Sequence, residues 1–323
     1  MQDWQTISHL KQITRSLDAL GAVGSILGIV SFTKSLIPKK PVEGANVRVK
    51  LGLGERGNHH GIEGDIGGVW AWDNNNEYLG KADGARISAG GTHDFAIAQD
   101  SNGARAEYVA VSAAKDAVCI AWVTVHMNDG SEGGAWTGDI GYNCDQNWYA
   151  QSEIAGKMKD GGDYYPKCTW FDSDHSNDIP TAAMKFKADA YGLNVTDTLK
   201  NDQACKFTNW GPDNGPIDAE PGKRSLKPRQ AWMTDRLVVS NVTQHSTEEL
   251  CSSATSWGPD FVGPDGFFCD MDTKALSPLC SANNVEGCIN VDSEGHKITK
   301  RKHIAKRESN APHESYGSIT YWD

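Results

Sequence analysis

Apolar and polar residues alternate over short stretches along most of the chain. "VRVKLGL" at 47–53 puts Val47, Val49, Leu51 and Leu53 on one side, the period-2 pattern of a strand with one buried face. "GVWAWD" followed by "NNNEYLG" reads as strand, turn, strand, with Asn74–Asn76 in the turn, since asparagine tolerates turn backbone. "HDFAIA", "EYVAVSA" and "CIAWVTVHM" are further strands. "NDG" at 128–130 marks a hairpin leading into a strand through "WTGDIG". Short strands broken by turn residues about every ten positions suit a sandwich or barrel, and we expect a β-sandwich over 46–190.

The pattern changes at both ends. Leu10, Ile13, Leu17 and Leu20 fall three, four and three apart, which predicts a helix over 5–37 within an N-terminal segment 1–41. "ALGAVGSILGIVSFT" (19–33) carries no charge but is too short for a membrane span. It suits a helix packed on its own protein, or a hairpin turning at the glycines. The alternative is a membrane-active or oligomerising element, with Gly24 and Gly28 allowing close helix approach. From 191 to 296, cysteine, proline, glycine and aspartate replace alternation, so we expect a disulfide-rich, loop-rich extension. Residues 297–323 read as a basic linker and a terminal strand, "YGSITYWD".

Composition narrows the class. Thirty-four glycines scattered between apolar runs favour turns and strands over helices. A net charge of −11 with no basic stripe argues against nucleic acid. The eight cysteines are Cys119, Cys144, Cys168, Cys205, Cys251, Cys269, Cys280 and Cys288. None forms CxxC, and the histidines lack zinc spacing. An even, dispersed count predicts four disulfides, one of them tying Cys144 to Cys119 across a hairpin. Bridges place the chain outside the cell. The sequons at Asn194 and Asn241 are then glycosylation acceptors. No ordinary signal peptide is visible, so the sequence reads as a mature chain with a start Met added.

Candidate chemistry is sparse. Asp172, Asp174 and Asp178, with Asn177 among them, offer oxygen ligands at short spacing, which makes calcium the one candidate ion. The loop lacks the glycine and terminal glutamate of an EF-hand, so an acidic turn without metal is the simpler reading, and no other cofactor is expected. His59 and His60 sit in a glycine-rich surface loop. GxSxG, HExxH and P-loop motifs are absent. Trp70, Trp72, Trp136 and Trp148 are either core or stacking platforms for sugars. Dibasic pairs ending at Arg224, Arg301 and Arg307 are candidate sites for kexin-type processing, or simply solvated loops.

"VRVKLGL" (47–53), "AVCIAWVTV" (117–125), "WTGDIGYNCDQNWY" (136–149), "KCTWFDSD" (167–174) and "GSITYW" (317–322) together resemble uncharacterised secreted proteins of filamentous ascomycete fungi. The resemblance covers about half the chain and implies export and a terminal strand that stays with the body. It brings no established activity. We therefore expect a secreted, non-enzymatic binding or effector-like protein acting on a surface or glycan target. A membrane-active toxin, contacting lipid through the N-terminal helix and activated by dibasic cleavage, and a carbohydrate-active enzyme are the alternatives.

Overall fold

The computed structural model describes residues 29–32, 44–52, 64–99, 104–128, 132–158, 161–192, 198, 204–217, 229, 231–253, 255–304 and 307–322. The chain is mainly β and divides into two compact units, Met1–Leu226 and Lys227–Asp323.

The first unit carries two six-stranded sheets and a small three-stranded one. In the first large sheet, Trp148–Tyr149, Cys168–Phe171, Val118–His126, Asn46–Leu51 and Thr92–Ala96 lie side by side, and Glu132–Thr137 also pairs with Val118–His126. In the second the order is Thr208–Gly211, Ala183–Lys187, Tyr108–Ala113, Gly64–Trp72, Tyr78–Ile87 and Ala98–Gln99. Every pairing in these sheets is antiparallel. Alternation has the expected consequence. Val47, Val49 and Leu51 are buried, whereas Arg48 turns outward and grips Asp94 through two hydrogen bonds of 2.5 and 2.7 Å. One hydrophobic cluster gathers residues of both large sheets, including Val47, Val69, Val111, Val123, Trp136 and Phe186.

The second unit has a five-stranded sheet ordered Ala275–Pro278, Phe267–Asp270, Asp260–Val262, Arg236–Ser240 and Ser318–Trp322. Arg236–Ser240 runs parallel to both of its neighbours. A second, antiparallel sheet holds Ile289–Asp292, Lys297–Ile304 and Arg307–Ser315. Leu237, Val262 and Phe268 from the first sheet meet Ile289 and Ile298 from the second, with Tyr316 between the last two strands, in one core. Helix Thr247–Ser252 begins at Ser246, whose hydroxyl accepts from Glu249 N at 3.1 Å, a side-chain cap on an otherwise unpaired helix donor.

Several expectations need correction. Ile29–Phe32, inside the expected N-terminal helix, is a strand paired with Gly156–Met158; its run of Ile, Val and Phe favours extended backbone. The rest of 1–41 lies outside the described residues. "WTGDIG" is not one strand: Glu132–Thr137 is extended, but Gly138–Asn143 is a short helix. Its glycines permit close contact, since a Cβ on Gly138 would lie 2.3 Å from Lys167 O and one on Gly141 would lie 2.1 Å from Thr169 Oγ1. That helix carries Cys144 away from Cys119. The bridges are Cys119–Cys168, Cys144–Cys205, Cys251–Cys269 and Cys280–Cys288. The stretch 191–296 is divided between the two units rather than forming one extension. The expected basic linker contains the hairpin Lys297–Ile304 and Arg307–Ser315. Ile298 there is fully buried beside the exposed Lys297, so basic residues outnumber but do not erase the strand pattern. Among the described residues no helix is long and apolar enough to cross a membrane.

A disulfide that closes a longer loop removes more freedom from the unfolded chain. Cys119–Cys168 spans 49 residues and Cys280–Cys288 spans 8. Replacing the first pair with alanine is expected to cost about 4 kcal/mol and the second about 2.5 kcal/mol by the loop-closure relation. Urea unfolding of the two variants checks both the order and the gap.

Candidate functional site

The outward face of the second large sheet is where aromatic residues leave the core. Val69 and Ala71 of Gly64–Trp72, Val109 and Val111 of Tyr108–Ala113, and Met184 and Phe186 of Ala183–Lys187 point into the cluster. Strand parity therefore turns Trp70, Trp72, Tyr108, Lys185 and Lys187 to the other face. Register places them in rows. Lys187 pairs with Tyr108, Tyr108 with Trp72, and Trp72 with Tyr78. Behind that row, Lys185 pairs with Ala110, Ala110 with Trp70, and Trp70 with Lys81. Four strands at the usual spacing give a platform about 14 Å across.

The rings and cations interlock. Lys185 is only 7% exposed. Its ammonium lies 3.7 Å from the Trp72 ring centroid and 5.6 Å from that of Tyr108, and it donates to Asn76 Oδ1 at 2.6 Å. A ring quadrupole and an amide oxygen thus stand in for the water that burial removed. Asn76 is held by its turn. Its φ is +64°, and Asp73 Oδ1 accepts from Asn75 N and Glu77 N, both at 2.8 Å. Tyr78 meets Trp72 edge-on, with centroids 6.1 Å apart, and remains 50% exposed. Trp70 is half-buried and lies over Gly68, where an added Cβ would come within 2.6 Å of the ring. The result is an outward face that carries Trp70, Tyr78 and Tyr108, bordered by Lys81, Lys187 and the Asp73–Glu77 turn.

The tryptophans named from sequence divide cleanly. Trp136 and Trp148 are core, at 0% and 2% exposure, whereas Trp70 and Trp72 belong to the platform. Tyr78, Tyr108 and Lys185 are missed by a search for tryptophan alone. The signal that finds Tyr108 and Lys185 is parity across "EYVAVSA" and "AAMKFK" once the inward residues are known, and Tyr78 follows from its register opposite Trp72.

The acidic loop is partly assembled. Asp172 is buried, and its Oδ2 accepts from Asn177 N at 3.2 Å and Asn177 Nδ2 at 3.1 Å. Burial raises its pKa, against the pull of the Asn177 hydrogen bonds. Asp174 is exposed and accepts from Ser176 N at 2.9 Å; its bonds with Ser176 lower its pKa. Asp178 is exposed on left-handed backbone, φ +55°. Among the described residues no group of three or more His, Cys, Asp or Glu side chains is placed to hold a metal ion. His59, His60, Asn194 and Arg224 lie outside the described residues. Asn241 is exposed directly after strand Arg236–Ser240, and its N–H donates to Trp322 O at 2.7 Å. Arg301 lies within Lys297–Ile304, and Arg307 opens Arg307–Ser315.

In the second unit Lys274 Nζ donates to Ser256 Oγ at 2.5 Å, and desolvation lowers the lysine pKa to about 8. The pair has the composition of a nucleophile and its base. Its directions are wrong for that role: the Ser256 hydroxyl donates to Leu250 O at 2.5 Å, away from the amine. The contact holds the turn around residue 256.

Adding a methyl group under Trp70 tests the platform's construction. Gly68→Ala is expected to lift the ring, lowering stability by about 1–3 kcal/mol and changing tryptophan emission; in the Trp70→Phe background the emission change disappears. Compared with known proteins, the chain matches no family profile and no curated protein sequence.

Proposed function

We propose that this chain is a secreted, non-enzymatic protein that binds glycans at a cell surface through the outward face of its second large sheet. The observation that carries this reading is the aligned row Lys187, Tyr108, Trp72 and Tyr78 with Trp70 behind it. Sugar rings present C–H faces that stack on aromatic rings, and hydroxyls that accept from ammonium groups or donate to amide and carboxylate oxygens. This face offers both kinds of partner within a few ångströms. An open sheet face with polar edges suits an extended oligosaccharide, whereas small metabolites are usually held in concave pockets.

Four disulfides support an extracellular setting. Origin among the secreted proteins of filamentous ascomycetes, and a sandwich stacking of the two large sheets over their shared core, belong to the same reading. Asn241, exposed at a strand end, then receives a glycan of its own in the secretory route.

A glycan array followed by calorimetry is expected to find an oligosaccharide ligand without release of reducing sugar. Tyr78→Ala and Trp70→Ala are each expected to weaken that ligand about tenfold, the equivalent of one lost stacking contact, while thermal unfolding still shows a folded protein. An array with no binder, or a ligand indifferent to both substitutions, rejects the reading.

A further inference from the structure

One tyrosine hydroxyl in the second unit serves two carboxylates. Tyr316 Oη lies 2.9 Å from Asp260 Oδ2 and 3.0 Å from Glu314 Oε2. A phenol carries a single hydrogen, so it donates to one of them only. Asp260 is completely buried and already committed. Its Oδ1 accepts from Arg229 Nη1 at 2.6 Å and from Met271 N at 2.8 Å. The arginine makes Asp260 the ionised member, and the tyrosine proton goes to it. Glu314 then faces the lone pairs of the phenol oxygen. The contact becomes a hydrogen bond only when Glu314 brings a proton of its own.

We propose that Glu314, Tyr316 and Asp260 form a proton-dependent latch that holds the hairpin of Lys297–Ile304 and Arg307–Ser315 against the five-stranded sheet and so gates the dibasic pair Lys300-Arg301. Asp260 lies on Asp260–Val262 of the five-stranded sheet, whereas Glu314 lies at the end of the edge strand Arg307–Ser315 and Tyr316 follows two residues later. An ionised Glu314 therefore repels Asp260 and lifts this strand end, while a protonated one lets it stay. Lys300 and Arg301 occupy the central strand, paired with Ala311 and Asn310 of the edge strand. While that strand stays in place, their backbone is engaged on both sides. A protease that reads extended chain by strand addition needs an open edge, and departure of Arg307–Ser315 supplies one.

The charges around Glu314 set the direction of the switch. Desolvation, then the negative charge of Asp260, raise its pKa from 4.5 to about 7, and Asp270 on Phe267–Asp270 adds to this. Arg229 is held by Asp260 and lies 3.8 Å from Asp272. Lys274, close enough to feel both Arg229 and Asp260, is itself depressed to about 8. His313, next to Glu314, packs on Phe268 with centroids 6.4 Å apart. A carboxyl whose pKa is raised in the folded state keeps its proton there after the unfolded chain has lost it. Folded stability therefore falls as pH rises between 4.5 and about 7. Lys274 acts in a separate, higher window and with the opposite sign: stability rises with pH between about 8 and 10.5. The latch is closed in mild acid and open above neutrality.

Hydrogen–deuterium exchange on the full chain, corrected for intrinsic rates and compared at about pH 5.5 and about pH 8, reads the latch directly. Amides of 307–322 are expected to exchange at least about tenfold faster at the higher pH, with 118–126 unchanged. Glu314→Gln supplies a permanent donor and is expected to abolish the difference. Rates independent of pH, an equal change across 118–126, or a pH dependence surviving in Glu314→Gln would overturn the proposal. A kexin-type protease at one pH, about 7.5, is expected to cut after Arg301 about tenfold more slowly in Glu314→Gln than in the unaltered chain. Equal rates, or no cleavage of either protein, would refute the gating.

Discussion

Strand Val118–His126 has no solvent side. All but its last residue are fully buried, and its backbone bonds to Asn46–Leu51, to Cys168–Phe171 and to Glu132–Thr137 along different parts of its length. A strand covered on both faces cannot alternate apolar and polar residues, which is why "VCIAWVTVH" is almost continuously apolar. Three neighbouring segments take their register from it. The Cys119–Cys168 bridge fastens the strand to one of them through buried sulfurs. A shift of one residue here would turn Val123 and Val125 out of the core and pull the bridge apart with them. The platform depends on this indirectly, because the same core fixes which face of the second sheet is outward.

Sequence alternation reported the strands of the first unit well. Val47, Val49 and Leu51 fall on one face as expected, and the Asn74–Asn76 turn joins Gly64–Trp72 to Tyr78–Ile87. It failed where backbone contact overrides side-chain pattern. Gly138 and Gly141 look neutral in "WTGDIGYN", yet each admits a neighbour closer than any Cβ would allow. The resulting turn of helix redirects Cys144 by one segment and changes both bridges of the first unit. Cysteine count foretold four disulfides; pairing required three-dimensional proximity that spacing does not encode.

The candidate site was half legible for a related reason. A tryptophan looks the same in sequence whether it faces core or solvent. Trp136 packs edge-on against Phe171 and Trp210 inside the first unit, whereas Trp70 covers Gly68 on the opposite side of its sheet. What separates them is parity relative to residues known to be inside, and parity is readable only where no bulge intervenes. Gly64–Trp72 has bulges against both neighbours, between Ile66 and Gly68 on one side and between Ala71 and Trp72 on the other. Alternation counted through such points misassigns a face, so the sequence names the aromatic candidates without sorting them.

Both units bury a tyrosine on an aspartate, and the contrast shows what makes one of them responsive. In the first unit the Tyr164 hydroxyl donates to Asp139 Oδ2, while Lys167 N approaches Asp139 Oδ1 at 3.3 Å and its ammonium stands 4.0 Å away. One hydroxyl, one carboxylate and one nearby cation leave no proton unassigned. The tyrosine pKa is pushed well up by burial and by the aspartate charge. The second unit has the same pair with Arg229 as its cation, and then adds Glu314 on the far side of the phenol. Among the described residues the added carboxylate has no ion-pair cation, and the hydroxyl it meets is shared with Asp260. A half-buried charge set beside a second carboxylate is costly enough that its pKa rises. Responsiveness thus comes from a surplus of one acceptor in an otherwise satisfied cluster, and it arises in the unit whose sheets are joined by the smaller apolar core, where a single hydrogen bond is a larger share of what holds the two sheets together.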